Sequence, residues 1–533
     1  MDGVWGAGLR PAPHTPSNAI REVENKTHLH PHPSLVYTPH GQKPAKGIMN
    51  VVLISTYELG HQPFGLASPA AWLKAAGAEV ACLDLAVQQL DPDALAAAGL
   101  VALYLPMHTA TRLALPAIEQ TRAINPRAHL CCFGLYAPAS EPLLRRLGVA
   151  TILGGEFESG LVSLYNRLAV EQNGSPKAED EGQPTTDDSL PAAVGRPSSV
   201  VHRPSSGGQP EPRISLARQE FLPPDRSGLP DLTAYAVVEL PGGTARTAGY
   251  TEASRGCKHL CRHCPIVPIY GGRFRVVQRE VVLADIRQQV AAGARHITFG
   301  DPDFFNGPGH AIPLVRALHA EHPELSYDVT IKVEHLLRHA NLLPELRATG
   351  CLFVTSAVEA VDDAILARFD KRHTRADFAR AVELLRDCEL ALNPTFVAFT
   401  PWTTRQGYLE FLQTIDQLDL VEHVAPIQYA IRLLIPAGSR LLELDELRAL
   451  AQPFDEAALS HPWAHPDPRM DQLQRQVLRA VRVRRPRAEV FAAVWRLAED
   501  ALGAPVQDRA RYVESARRAT SKPIPTMSEP WYC

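Results

Sequence analysis

The chain has 533 residues, 45% of them hydrophobic and 21% charged, with a formal net charge of −4. That length implies more than one domain of ~100–200 residues, and the near-neutral balance argues against an obligatory nucleic-acid or anionic-membrane partner. No apolar run approaches the ~20 residues that span a bilayer, the N-terminus lacks a signal peptide's apolar core, and nine scattered or clustered cysteines suit a reducing cytoplasm rather than a disulfide scaffold.

Residues 1–47 are rich in Pro, His, Asn and Gly without apolar periodicity, which predicts a disordered extension. Met49 directly precedes the first strand-like run and is an alternative start. His28, His30, His32 and His40 read as a solvated tail more readily than as a metal site.

From 48 to 170 the pattern is α/β. Continuous apolar runs at 51–55, 80–85, 100–105, 129–133 and 151–156 predict buried strands, with helices at 69–76, 113–124 and 158–168. Such alternation implies an N-terminal doubly wound, Rossmann-like parallel sheet. Sheets of this kind bind ligands beyond the carboxyl ends of their strands. The loops concerned are 56–66, 106–109 and 134–137. Residues 171–213 are dominated by Pro, Ser, Gly, Asp and Glu and predict a flexible linker.

Within 214–438 the chemistry concentrates in Gly256-Cys257-Lys258-His259-Leu260-Cys261-Arg262-His263-Cys264. The Cys-x3-Cys-x2-Cys spacing lets one tight loop point three soft thiolates at a common centre. Three thiolates on a four-iron cubane leave one iron open for a small ligand. A structural zinc is the alternative, with His259 or His263 as the fourth ligand.

This stretch resembles the radical S-adenosylmethionine (SAM) superfamily. The resemblance implies a [4Fe-4S] cluster on Cys257, Cys261 and Cys264, SAM chelated at the open iron, and reductive cleavage to a 5′-deoxyadenosyl radical. His263 stands where the family usually has an aromatic residue. Gly300-Asp301-Pro302-Asp303 occupies the place of the family's Gly-Gly-Glu-type motif, so Gly300, Asp301 and Asp303 are expected to hold the SAM amino group; simple turn chemistry is the alternative. The segment 357–362 is similar to the family's Gly-Val-Glu-Ser-type stretch, making Glu359 a SAM ligand, with Lys371 and Thr374 following in pattern. Lys332 reads as a structural ion pair or a lumen residue. Strands at 248–253, 295–300, 327–333, 351–358, 393–399 and 423–434 predict a partial (β/α)6 radical SAM barrel with its active site at the strand C-termini.

A Rossmann-like sheet ahead of such a barrel resembles the cobalamin-binding domains of the cobalamin-associated radical SAM class. The Asp-x-His-x-x-Gly signature is absent, so cobalamin would bind without that histidine, or the sheet holds another ligand. Residues 439–519 predict a helical C-terminal region. The extended tail 520–533 resembles a group with Cys-Sec-Ala-Glu-Pro or Cys-Cys-Ala-Glu-Pro endings, which implies termination at a selenocysteine codon and a catalytic role for Cys533 as half of a redox pair or as an active-site ligand; a genuine terminus with an incidental cysteine is the alternative. The resemblance implies a radical SAM enzyme acting by C–H abstraction or cobalamin-dependent methyl transfer. Its partners would be a small-molecule or peptide substrate and a flavodoxin- or ferredoxin-like electron donor. The alternative is an iron–sulfur or redox-sensing protein that does not cleave SAM.

Overall fold

The computed structural model describes residues 49–173, 210–503 and 523–529. The 1–47 extension, most of the linker and Cys533 lie outside the described residues.

The first sheet alternates strands and helices: β1 (Asn50–Ser55), α1 (Phe64–Ala75), β2 (Glu79–Asp84), α2 (Pro92–Ala97), β3 (Leu100–Tyr104), α3 (His108–Ile124), β4 (His129–Phe133), α4 (Glu141–Arg146), β5 (Thr151–Gly155) and α5 (Glu158–Asn173). The strand order is β2-β1-β3-β4-β5, all parallel, with β6 (Ile214–Ser215) added beside β5. Because strand side chains alternate between faces, β1 feeds two cores. Val51 and Leu53 pack with Leu66, Leu73, Leu161 and Leu164 on the α1/α5 face. Val52 and Ile54 pack with Leu95, Ile118 and Leu144 on the other. Burial on both faces explains the unbroken apolar strands.

Helix α1 starts at Phe64 and carries Pro69 inside it, where the sequence predicts a start at Pro69. A proline normally marks the first turn. Here the burial of Phe64, Leu66 and Ala67 outweighs the one ladder hydrogen bond that Pro69 cannot make. The first turn lies so close to β3 that a Cβ on Gly65 would stand 2.0 Å from the Tyr104 ring.

The second body begins with β7 (Val237–Glu239), β8 (Ala245–Thr251), β9 (Ser254–Gly256), α6 (Val267–Tyr270) and β10 (Phe274–Val276). It continues through α7 (Arg279–Ala291), β11 (His296–Phe299), α8 (Pro308–Glu321), β12 (Ser326–Thr330), α9 (Val333–Arg338), α10 (Leu343–Ala348), β13 (Cys351–Glu359), α11 (Asp363–Phe369), α12 (Arg375–Asp387), β14 (Ala391–Phe396) and α13 (Arg405–Gln417). Strands β14-β13-β12-β11-β8 form a parallel, barrel-like sheet, which β7 continues antiparallel. The sixth barrel position differs from the strand expected at 423–434. A 3-10 turn covers Pro426–Tyr429, and one parallel bridge joins Arg432 to Phe399. Pro426 has no N–H for a ladder and its fixed φ suits the turn.

Three helices follow, α14 (Asp445–Leu450), α15 (Pro468–Val481) and α16 (Arg487–Leu502). Met470, Leu473, Val477, Phe491 and Val494 from α15 and α16 enter the same core as Phe396 and Phe411 of the barrel. A final strand, β15 (Thr526–Met527), pairs antiparallel with β7 and forms the sheet's last edge.

Candidate active site

Strand β9 delivers the cysteines. It ends at Gly256, whose φ is +72°, and a Cβ there would meet the Tyr270 ring at 2.4 Å and the Arg273 carbonyl at 2.5 Å. Only glycine takes this left-handed, crowded position cheaply. The loop beyond it is anchored by backbone groups. The Arg262 N–H donates to the Phe369 carbonyl at 2.9 Å, and Arg440 donates to the Leu260 carbonyl at 2.7 Å.

Cys257, Cys261 and Cys264 are free thiols that line one cavity of about 500 Å³, a size in the range of small-molecule sites. Burial pushes Cys257 up and Cys264 up to about 12, with Cys261 adding to both. Thiols so placed stay protonated until a metal displaces the proton. The donor set fits an iron–sulfur cluster: three soft sulfurs from one loop, with no fourth cysteine on the cavity wall among the described residues. Around them, Lys332 Nζ lies 3.9 Å from Cys261 Sγ, and Asn306 Oδ1 lies 3.8 Å from Cys257 Sγ while accepting from the Lys258 N–H at 3.2 Å.

Glu359 stands at the carboxyl end of β13 in a left-handed conformation, φ +70°, where the β13–β14 register shifts. Such strain in a non-glycine residue persists only when its surroundings hold it. His263 Nε2 at 2.9 Å and Lys371 Nζ at 3.3 Å hold this carboxylate. Burial alone would raise its pKa, but the Lys371 and His263 charges bring it down to about 2. His263 also packs on Phe369, 4.7 Å between ring centroids. The residue before the third cysteine thus ties the cluster loop to Glu359.

Gly300 follows β11 on the cavity wall, where a Cβ would fall 1.9 Å from the Tyr250 hydroxyl oxygen. Asp301 also lines the cavity, accepting from the Ala253 N–H at 2.9 Å and the Ser254 hydroxyl at 2.5 Å. Burial raises it to about 7 despite those bonds. Asp303 is fully buried behind the cysteine loop, with Oδ2 beside His335 rather than on the cavity wall. The structure therefore gathers the three cysteines, Gly300, Asp301 and Glu359 around one space and places Asp303 behind it. Cys533 lies outside the described residues.

The opposite wall comes from the first sheet. Glu58, His61, Met107, Leu135 and Phe157, all from loops after its strands, face the same cavity. His61 is buried, its Nδ1 has no hydrogen-bonding partner among the described residues, and burial lowers its pKa to about 4. A neutral imidazole on this wall is a donor suited to a metal-bearing ligand. Nothing in the sequence pattern singled it out.

Arg255, just before Gly256, joins the two walls. Its Nη1 donates to Glu158 at 2.9 Å and to Glu156 at 3.4 Å, while Nε donates to Glu252 at 2.6 Å. Its guanidinium also lies 5.0–5.6 Å from the rings of Phe64, Phe157 and Phe221. The described tail supplies a last piece of wall: Thr526, Met527 and Glu529 line the cavity, and the Tyr57 hydroxyl donates to Glu529 at 2.7 Å.

Residues 251–399 match the family described as the Radical SAM superfamily. This stretch is a radical SAM domain. Among curated relatives, a tRNA-2-methylthio-N(6)-dimethylallyladenosine synthase of Desulfosudis oleivorans is 29% identical over 210 residues, 37% of this chain and 44% of that protein. The hopanoid C-3 methylase of Methylococcus capsulatus is 26% identical over 251 residues, 47% of this chain and 43% of that protein. The chain thus spans less than half the length of these relatives. Two solved structures share the architecture more widely. The radical SAM methyltransferase TsrM of Kitasatospora setae, with cobalamin and a [4Fe-4S] cluster bound, gives a TM-score of 0.58 at 15% identity, covering 89% of this chain and 99% of that one. The cobalamin-dependent SAM radical enzyme OxsB, with aqua-cobalamin bound, gives 0.60 at 13% identity, covering 89% and 72%. At such identities the likeness is one of fold, and it extends through the first sheet as well as the radical SAM domain.

Proposed function

We propose that the chain is a radical SAM enzyme whose cluster and SAM sites face a cobalamin site across one cavity. What carries this reading is that the three cysteines and the carboxyl ends of the first sheet open into the same space. In this reading Cys257, Cys261 and Cys264 hold a [4Fe-4S] cluster, and Gly300, Asp301 and Glu359 surround SAM. The loops after β1, β3, β4 and β5 hold cobalamin, with His61 nearest in chemistry to a cobalt ligand. When bound, these groups supply a 5′-deoxyadenosyl radical or a methyl group for transfer to carbon.

The chain's own residues do the positioning. Glu359, kept ionised by Lys371 and His263, is a fixed anion for an ammonium or a ribose hydroxyl. The apolar wall of Leu135, Phe157 and Phe353 limits water around a reactive radical. The substrate would be a small molecule or a peptide that reaches the cavity, and an external flavodoxin- or ferredoxin-like protein would deliver the electron in the cytoplasm. No helix among the described residues is long and apolar enough to cross a membrane.

Anaerobic reconstitution with iron and sulfide, then reduction in the presence of SAM, tests the reading by chromatography for 5′-deoxyadenosine. Product that disappears in Cys257→Ala, Cys261→Ala and Cys264→Ala is the expected result. A fully loaded cluster without product would shift the function to an iron–sulfur or redox-sensing protein. For cobalamin, the visible spectrum of the bound cofactor should change on His61→Ala; an unchanged spectrum removes His61 from that role.

A further inference from the structure

Beside the cysteines, with His259 itself on the cavity wall, lies a second group of donors that the reading above does not use. His259 (between the first two cysteines), Asp303 (after β11) and His335 (in α9) offer ligand atoms within 4.8 Å of one another, all buried. His259 Nε2 is 3.3 Å from His335 Nε2 and 3.7 Å from Asp303 Oδ2. Asp303 Oδ1 already accepts from the backbone N–H groups of Phe305 and Lys332, leaving Oδ2 free. That Oδ2 sits 2.6 Å from His335 Nδ1, yet the contact is not aligned as a hydrogen bond, and neither atom has a hydrogen-bonding partner among the described residues. Buried polar atoms are rarely left so.

We propose that His259, Asp303 and His335 form a binding site for a divalent transition metal of the zinc class, separate from the iron–sulfur site. Two donors on a tetrahedral zinc at ~2.0–2.1 Å stand ~3.3–3.4 Å apart. The 3.3 and 3.7 Å spacings on His259 Nε2 are near that value, and the 2.6 Å between Asp303 Oδ2 and His335 Nδ1 would open as the metal enters. Nitrogen and carboxylate donors of this kind select zinc or another divalent transition metal over calcium or magnesium. The next layer fits as well. Glu334 Oε2 lies 3.5 Å from His259 Nδ1 without the alignment of a hydrogen bond, near enough to form the carboxylate–histidine pair that turns the other ring nitrogen toward a metal once one binds. Glu334 is itself paired with Lys332 at 3.5 Å and with Arg338 at 2.5 Å, so Asp303 is the carboxylate left to balance a bound cation. Such a metal would tie the cysteine loop to β11 and α9.

The test uses the full chain with Cys257, Cys261 and Cys264 all changed to Ala, so no cluster assembles and failure of the proposed function cannot be confused with failure here. Titration with Co²⁺ alone, followed in the visible region, should give the intense d–d bands of a low-coordinate site at one equivalent, displaced by Zn²⁺. Asp303→Asn or His335→Gln in the same background should abolish the bands, and Glu334→Gln should weaken binding ~10–100-fold. Circular dichroism checks that each variant is folded. A weak, aqua-like octahedral Co²⁺ spectrum in the parent overturns the proposal, as do intense bands that survive both ligand substitutions.

Discussion

Arg255 and Glu158 meet as a buried, two-point ion pair, with Nη1 2.9 Å from Oε2 and Nη2 2.7 Å from Oε1. Arg255 belongs to the strand that delivers the cysteines and Glu158 to the first turn of α5, so this contact joins the two walls of the cavity. Removing one partner leaves an uncompensated buried charge. Arg255→Ala should therefore destabilise the fold by about 3–5 kcal/mol, measured as a shift in the denaturant midpoint. Cluster absorbance after reconstitution should fall in parallel. A midpoint within error of the parent would show that the pair does not hold the two bodies together.

Gly256 converts backbone geometry into cysteine position. Gly256→Ala adds about 1–3 kcal/mol of strain for a left-handed side chain, and its Cβ would press on the Tyr270 ring and the Arg273 carbonyl. Because Cys257 is the next residue, the expected loss is in cluster occupancy more than in global stability. Iron content per chain, compared with the thermal midpoint, separates the two. Full iron content would mean that the loop accommodates the methyl group.

Glu359 makes stability depend on acid. Its folded pKa, about 2, lies below the ordinary 4.5. Its contribution is therefore complete above about pH 4.5 and is lost as pH falls toward 2, on the order of 3 kcal/mol in all. Glu359→Gln should flatten the dependence of unfolding free energy on pH across that window. At neutral pH it should weaken SAM binding, read by equilibrium dialysis. An acid profile identical to the parent's would contradict the ion-pair geometry with Lys371 and His263.

The two residues of β15 cover an edge. Thr526 and Met527 pair with Glu239 and Val238, and the Ser528 N–H donates to the Val237 carbonyl at 2.8 Å. Deleting residues 523–533 exposes β7 as an unpaired edge, a template for intermolecular pairing. Light scattering during heating should begin several degrees lower in the deletion variant. An unchanged onset would mean that the edge needs no cover.

The sequence showed most clearly what is local. The cysteine spacing and the apolar strands of the first sheet are written in consecutive residues, so both were legible. Contacts across long separations were not. Glu359 and His263 are 96 residues apart, and nothing in either segment announces that they touch. Pro69 and Pro426 misled in opposite ways. The first sits inside a helix because burial overrides its local signal, and the second turns a predicted strand into a 3-10 turn. Asp303 matched the position of a known motif, but its side chain takes the inner side of the turn, where His335 meets it. The strand β15 is too short and too close to prolines to show any pattern at all.

The small strand β6 has a consequence for how such a molecule can be rearranged. Ile214 and Ser215 pair with Gly154 and Gly155, and the Gly154 and Glu156 N–H groups donate to the Arg213 and Ser215 carbonyls, each at 2.8 Å. The first sheet is thus finished by chain that comes after residues 174–209, on the way into the barrel. Recombination or gene fusion that cuts at the end of α5 would strip the β5 edge of its neighbour and leave those backbone donors unpaired. The intact unit of inheritance for the sheet therefore ends beyond Ser215.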